Sequence, residues 1–147
     1  MNSPSLYIED VTEGKAITPL IKKPNYVQIV KWSNAQGNLG DTHYDRDNAR
    51  QVGLKDIILA GPLLGAMLGQ AVEEWAGHVG RIRKYSWRNQ NMAYPNDELT
   101  VKGKVAKIDP QSGLVECNLE MHSQRGDLIV SGNITIALPS KHGHNHR

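Results

Sequence analysis

The sequence predicts an α+β protein in which one antiparallel sheet wraps around one central helix, from three observations. From Gly61 to about Ala76, the apolar residues Leu63, Leu64, Met67, Leu68, Ala71, Val72 and Trp75 recur at three- and four-residue spacing, and the polar Gln70, Glu73 and Glu74 are confined to the last two turns. A helix that is apolar on most sides needs cover on most sides, which a curled sheet supplies. Past Gly77 the period drops to two: Leu99, Val101, Gly103 and Val105, then Val115, Cys117, Leu119 and Met121, then Leu128, Val130, Gly132, Ile134, Ile136 and Leu138 alternate with polar residues. Between these runs stand the turn clusters Asp109-Pro110-Gln111-Ser112-Gly113 and Ser123-Gln124-Arg125-Gly126-Asp127, so the strands read as an antiparallel meander.

The other elements follow from the N-terminus. Ala16 to Ile21 reads as an edge strand before the turn residues Lys23-Pro24-Asn25. Asn25 offers an N-cap to a helix on which Tyr26, Ile29, Val30 and Ser33 recur at helical spacing, with Trp32 beside them. Gln36 to Asp41 carries two glycines and reads as a loop. The polar run His43 to Arg50 reads as a short helix opened by His43 and closed by Gly53. Gly61-Pro62 places a proline in the first turn of the central helix, and Gly77 stops it. Arg81 to Arg88 supplies one more strand, and the alternation slips around Val105 and Ala106, as at a β-bulge. Residues 1–139 form one domain, and the polar, His-containing tail 140–147 reads as disordered.

Composition narrows the function classes. The chain has 147 residues, enough for one domain with a sizeable core. Its 17 Lys and Arg against 15 Asp and Glu are interspersed, which leaves no continuous basic face for a nucleic-acid backbone. The lone Cys117 can close no intrachain disulfide and has no second Cys at metal-ligand spacing. The start MNSPSLYIEDVTEG is polar, and the longest apolar stretch, Ile57 to Leu68, is interrupted and too short to span a bilayer. A reducing cytoplasm, with no membrane and no metal, is the expectation.

Histidine titrates closest to neutral pH, so the six are sorted first. His142, His144 and His146 fall in the tail, where they could hold a stray divalent ion but read as solvated. His78 and His122 read as surface residues. His43 differs: it closes the loop Gly37-Asn38-Leu39-Gly40-Asp41-Thr42, with Asn38, Asp41 and Asp45 as possible orienting partners. By itself it also fits a capping histidine. The helix start at Gly61-Pro62 adds free backbone N–H groups and a positive dipole end, which can hold a carbonyl oxygen as it gains negative charge.

Taken together, Gly37-Asn38-Leu39-Gly40-Asp41-Thr42-His43-Tyr44-Asp45, then Ala49, Gly53 and Ile57-Ile58-Leu59-Ala60-Gly61-Pro62-Leu63, resemble the MaoC-like hydratases of the hot-dog fold. The resemblance runs from about Ala16 to Leu138. It is similar above all to the small MaoC-like subunits of two-subunit enoyl-CoA hydratases of bacterial steroid side-chain breakdown, through Asp41, Asp45-Arg46-Asp47, Lys55-Asp56-Ile57 and Trp75-Ala76-Gly77. It implies a hot-dog fold and reversible syn hydration of a trans-2-enoyl-CoA, with the thioester as substrate and no cofactor. By position His43 becomes the acid/base and Gly61 the oxyanion donor, with Gly37 and Leu63 beside the substrate, and Asn38 occupies the slot of the family's aspartate.

That slot is a departure, because a carboxylate can take a proton from water and an amide cannot. Three outcomes stay open: His43 works with Asn38 orienting the water, Asp41 takes the acidic role, or the chain is a non-catalytic acyl-CoA-binding or structural subunit of a heteromeric hydratase. Gly40-Asp41 in place of the family's Asn-Pro, and Ala60 before Gly61, favour a specialised relative. A thioesterase usually carries its carboxylate on the central helix, and here Glu73 and Glu74 stand at the wrong end of it. Arg81, Arg83, Lys84 and Arg88 could bind CoA phosphates or form a solvated strand face. An isolated hot-dog sheet leaves an open edge, so a homodimer, a higher homo-oligomer or a pairing with a second MaoC-like subunit is expected.

Overall fold

The structure is a computed structural model that describes residues 5–143. Five strands form one antiparallel sheet: β1 (Ala16–Lys22), β2 (Arg81–Asn89), β3 (Leu99–Asp109), β4 (Leu114–Ser123) and β5 (Leu128–Ala137), in the spatial order β1-β3-β4-β5-β2. The last three strands are the meander that period-two alternation predicts, and β1 and β2 flank it as the two edges. The bulge lies at the expected place, with the register slipping between Val105 and Lys107.

The central helix α3 (Gly61–Ala76) lies against the sheet and ends at Gly77, whose φ of 74° suits the residue without a Cβ. Its Leu64, Leu68, Ala71, Val72 and Trp75 join Leu99, Val101, Val115, Leu119, Met121, Ile134 and Ile136 in one buried core. Close approach of helix to sheet depends on Gly132, where an added Cβ would stand 2.7 Å from Leu68 Cδ1 and 2.9 Å from the Ser86 carbonyl oxygen. Cys117 is wholly buried, and burial pushes its thiol up to about 12, so it behaves as an inert apolar residue.

Helix α1 (Tyr26–Gln36) opens with the expected cap: Asn25 Oδ1 accepts from Gln28 N–H, and Gln28 Oε1 accepts from Asn25 N–H (both 2.9 Å). The next element departs from expectation. His43 does not open a helix but closes a 3-10 turn, Asp41–His43, and α2 (Arg46–Gln51) begins later. The cause is Asp45, whose carboxylate accepts from Asp47 and Asn48 N–H (both 3.0 Å) and fixes the helix cap two residues beyond His43.

The tail also departs. Ser140 Oγ–H and Lys141 N–H donate to the Glu9 carboxylate, and Lys141 pairs with Asp10, so the ordered chain continues past residue 139 by docking on the N-terminal turn. His144 and His146 lie outside the described residues. Among the described residues no helix is long and apolar enough to cross a membrane, and no group of three or more His, Cys, Asp or Glu could hold a metal ion.

An ion pair with a buried carboxylate and an exposed guanidinium ties the β2–β3 loop to the β4–β5 turn. Arg125 donates to both oxygens of Asp97 (2.6 and 3.0 Å), joined by Gln124 Nε2 (3.0 Å) and Tyr94 N–H (2.9 Å). Burial pushes the Asp97 carboxyl up, but these donors outweigh it and hold it at about 2 instead of 3.8. A carboxyl depressed by folding stabilises above its unfolded value, and that contribution is lost as pH falls from about 4 to about 2. It amounts to about 2 kcal/mol. Urea melts from pH 5 to pH 2 should show wild type losing about that much more stability than Asp97→Asn. Equal losses would refute the assignment.

Candidate functional site

The α1 C-terminus, the 3-10 turn and the entry to α3 meet in one place. Gly37 ends α1 in the left-handed region (φ 68°), where L side chains are strained, and its N–H is spent on Asn34 and Ser33 carbonyls. It acts as a helix terminator that presents Asn38. Asn38 N–H donates to the Ser33 carbonyl (2.9 Å), and Asn38 Oδ1 accepts from Gly40 N–H (3.1 Å). Since an N–H must face an acceptor, this bond fixes the amide orientation and leaves the Asn38 NH2 as the outward group.

Gly40 brings the two candidate residues together. A Cβ on it would lie 3.1 Å from Asn38 Oδ1 and 3.6 Å from His43 Cδ2, so amide and imidazole flank one glycine. The half-buried His43 ring is oriented by the irregular segment that leads into α3. Its Nδ1 lies 2.8 Å from the Ile58 carbonyl oxygen, while Ile58 N–H donates to the Thr42 carbonyl (2.9 Å). A carbonyl can only accept, so Nδ1 carries the proton and Nε2 of the neutral ring is the bare acceptor.

Behind Ile58 stands a polar brace that the sequence did not single out for a role. Tyr26 Oη–H (2.9 Å), Arg46 Nε–H (3.1 Å) and Ile57 N–H (2.8 Å) all donate to Asp56 Oδ1, and the Arg46 guanidinium lies 4.7 Å from the centre of the Tyr26 ring. Burial pushes the Asp56 carboxyl up, and these donors bring it below its usual value. The ionised brace fixes the segment whose next carbonyl aims His43.

Three residues after Ile58, α3 begins. Leu63 and Leu64 N–H both turn back to the Ala60 carbonyl (3.0 and 3.2 Å), Pro62 has no N–H, and Ala60 provides no side-chain cap. Gly61 N–H is thereby left as the free donor of the helix start, whereas Leu63 offers only its side chain, which faces α1. Asn89, at the end of β2, is a neighbour of the helix start that sequence reasoning missed: its amide nitrogen would stand 2.3 Å from a Cβ on Gly61. Trp87 and Tyr85 continue the row, their ring centres 5.0 Å apart and planes tilted by 35°, laid over Gly65 and Gly69. The signal was present as three inward positions of one strand opposite glycines spaced by four.

Other candidates stand elsewhere. Asp41 is occupied, accepting from Tyr44 Oη–H (2.6 Å) and Asn48 Nδ2–H (2.8 Å), so it braces the turn instead of facing His43. Among the described residues no carboxylate bonds to His43. Arg81 donates to the His78 and Gly80 carbonyls at the opposite end of α3, some 24 Å of helix from Gly61. Arg83 lies at a register slip in β2, Lys84 pairs with Thr135, and Arg88 lines the outer sheet face with Lys102 and Glu120. The structure brings none of these four to the His43–Gly61 site.

Comparison with known proteins adds three findings. Residues 12–121 match the MaoC like domain. A curated relative, the fatty acid synthase beta subunit TOXC of Cochliobolus carbonum, is 29% identical over 108 residues, which is 71% of this chain but 5% of that protein. Among solved structures, the ChsH1-ChsH2 complex from Mycobacterium tuberculosis superposes with a TM-score of 0.80 at 24% identity, covering 86% of this chain and 98% of that one. The R-hydratase PhaJ1 from Pseudomonas aeruginosa reaches 0.86 at 19% identity, covering 93% and 88%. At such identities the likeness is one of fold.

Proposed function

The chain belongs to the MaoC-like domain family, and from that premise we propose that it adds water reversibly to a trans-2-enoyl-CoA, giving a (3R)-hydroxyacyl-CoA. The observation that carries this reading is the locked imidazole: Nδ1 is held by the Ile58 carbonyl, three residues ahead of the uncapped start of α3, and the ring, with Nε2 bare, flanks Gly40 opposite the Asn38 amide. His43 Nε2 takes a proton from water as its oxygen bonds to C3. Electrons of the double bond move onto the thioester oxygen, where Gly61 N–H and the α3 dipole stabilise the enolate. The imidazolium then returns a proton to C2, and the thioester re-forms. Asn38 donates its free N–H to the water oxygen and holds it in line, taking no proton itself. This chemistry calls for no cofactor beyond the thioester, and Asp41 has no part in it.

The second reading, a non-catalytic thioester-binding subunit, is favoured by one observation: an amide where the family pattern has a carboxylate. Both readings include a partner along β2, either a second copy or another MaoC-like chain, because β2 is a free sheet edge that carries Asn89 and the 39%-exposed Trp87.

The test follows loss of enoyl-thioester absorbance with crotonyl-CoA and with a bulky enoyl-CoA, alongside the mass of the chain in solution. Turnover by the purified chain is expected. A folded chain that hydrates neither substrate would overturn the catalytic reading and leave the subunit reading in place.

A further inference from the structure

Helix α3 has a second functional face. Gly61, Gly65 and Gly69 turn to β2, whereas Leu63, Ala66, Met67 and Gln70, at helical spacing, face α1 across an open groove of about 510 Å³. That volume is within the usual range for small-molecule sites. Its walls are apolar, formed by Leu63, Met67 and the indole of Trp32, and its rim carries Lys22, Lys23 and Lys31. Among the described residues no carboxylate lines it. Among the described residues none of the three ammonium groups pairs with an acid, and Glu74, one turn beyond, is held by Gln70 Nε2–H (2.7 Å).

Three unneutralised cations around one apolar slot repel one another and raise the local concentration of anions. The charge on the rim complements a negative head, and the apolar walls complement a hydrocarbon tail. From Leu63 to Gln70 the helix rises roughly 10 Å, the extended length of a chain of roughly eight carbons. We propose that the groove between α1 and α3 is a binding site for a medium-chain fatty carboxylate, separate from the His43–Gly61 site. The carboxylate rests among the lysines and the tail lies along Leu63, Met67 and Trp32. The inference is independent of the hydratase reading, since it uses none of His43, Asn38 and Gly61, and Leu63, which the family resemblance sets beside the thioester, turns its side chain to this groove instead.

The experiment titrates the full chain with decanoate by calorimetry, with 1-decanol and inorganic phosphate as comparisons. Decanoate should bind at one site per chain, at least tenfold more tightly than either comparison. Changing Lys22, Lys23 and Lys31 together to Gln, all at the surface and harmless to the core, should weaken decanoate at least tenfold and leave decanol unchanged. Ala66→Trp, an exposed position that would fill the groove, should abolish binding while crotonyl-CoA hydration is unaltered. Equal affinity for decanol, or for decanoate in the triple-lysine variant, would overturn the proposal. So would tighter binding of phosphate alone, or a change of oligomeric mass in the triple variant, which would make the face a contact between copies. Decanoate that survives Ala66→Trp but is displaced by crotonyl-CoA would place it in the catalytic site and overturn the proposal as well.

Discussion

Replacing His43 with Ala should lower enoyl-CoA hydration by roughly 100-fold or more while the protein stays folded. Among the described residues the ring is the one basic group at the site with a free acceptor nitrogen, because the Asn38 oxygen is engaged by Gly40 and Asp41 by Tyr44 and Asn48. Removing it eliminates the proton transfer and leaves the Gly61 donor and the Asn38 amide in place. Structurally little is lost, since a half-buried ring held by one hydrogen bond supports no core packing. Initial rates with crotonyl-CoA and a thermal melt on the same preparation separate these effects. Hydration within threefold of wild type would remove His43 from the mechanism.

Leu68→Ala should be the most damaging single change to the fold. Leu68 is wholly buried at the middle of α3, and it presses on the sheet where Gly132 leaves room for it. Truncation forfeits its transfer free energy and opens a cavity between helix and sheet, about 2–5 kcal/mol for such a site. For a chain of this size that corresponds to a fall in Tm of about 5–15 °C. Gly132 has no side chain that could move in, which argues for the upper part of the range. A melt by circular dichroism within about 2 °C of wild type would contradict this account of the helix–sheet contact.

Much of the fold was legible because one physical quantity, the hydrophobic period, dominates it. The apolar face of α3 and the three alternating strands are long and regular, so burial imposes the same pattern on sequence and structure. Even the bulge at Val105 to Lys107 was visible as a slip in phase. Strand β2 was harder to place, since edge residues such as Arg81, Arg83 and Arg88 carry no burial pattern, and nothing local says that it pairs with β5. At the site, His43 was legible as an unusual residue in a glycine loop. Its surroundings were not, because they depend on contacts across the fold: Ile58 carbonyl to imidazole, Asn89 to Gly61, and Asp56 to Tyr26. Asp45 shows the same limit locally, since its capping bonds decided where α2 starts and left His43 outside the helix. The arginines of β2 were singled out by charge alone, and charge does not tell which end of a helix a strand residue will meet.

Strand β2 is both the free edge of the sheet and the wall of the α3 glycine row, through Tyr85, Trp87 and Asn89. A chain that pairs along this edge would grip the backbone of the same residues whose side chains border the helix start. Assembly and turnover would then share a variable, and the specific rate would depend on protein concentration. Progress curves would steepen faster than linearly with enzyme near the dissociation constant and become proportional above it. A chemically intact site would look inactive on dilution, and its full rate would return on concentrating the protein.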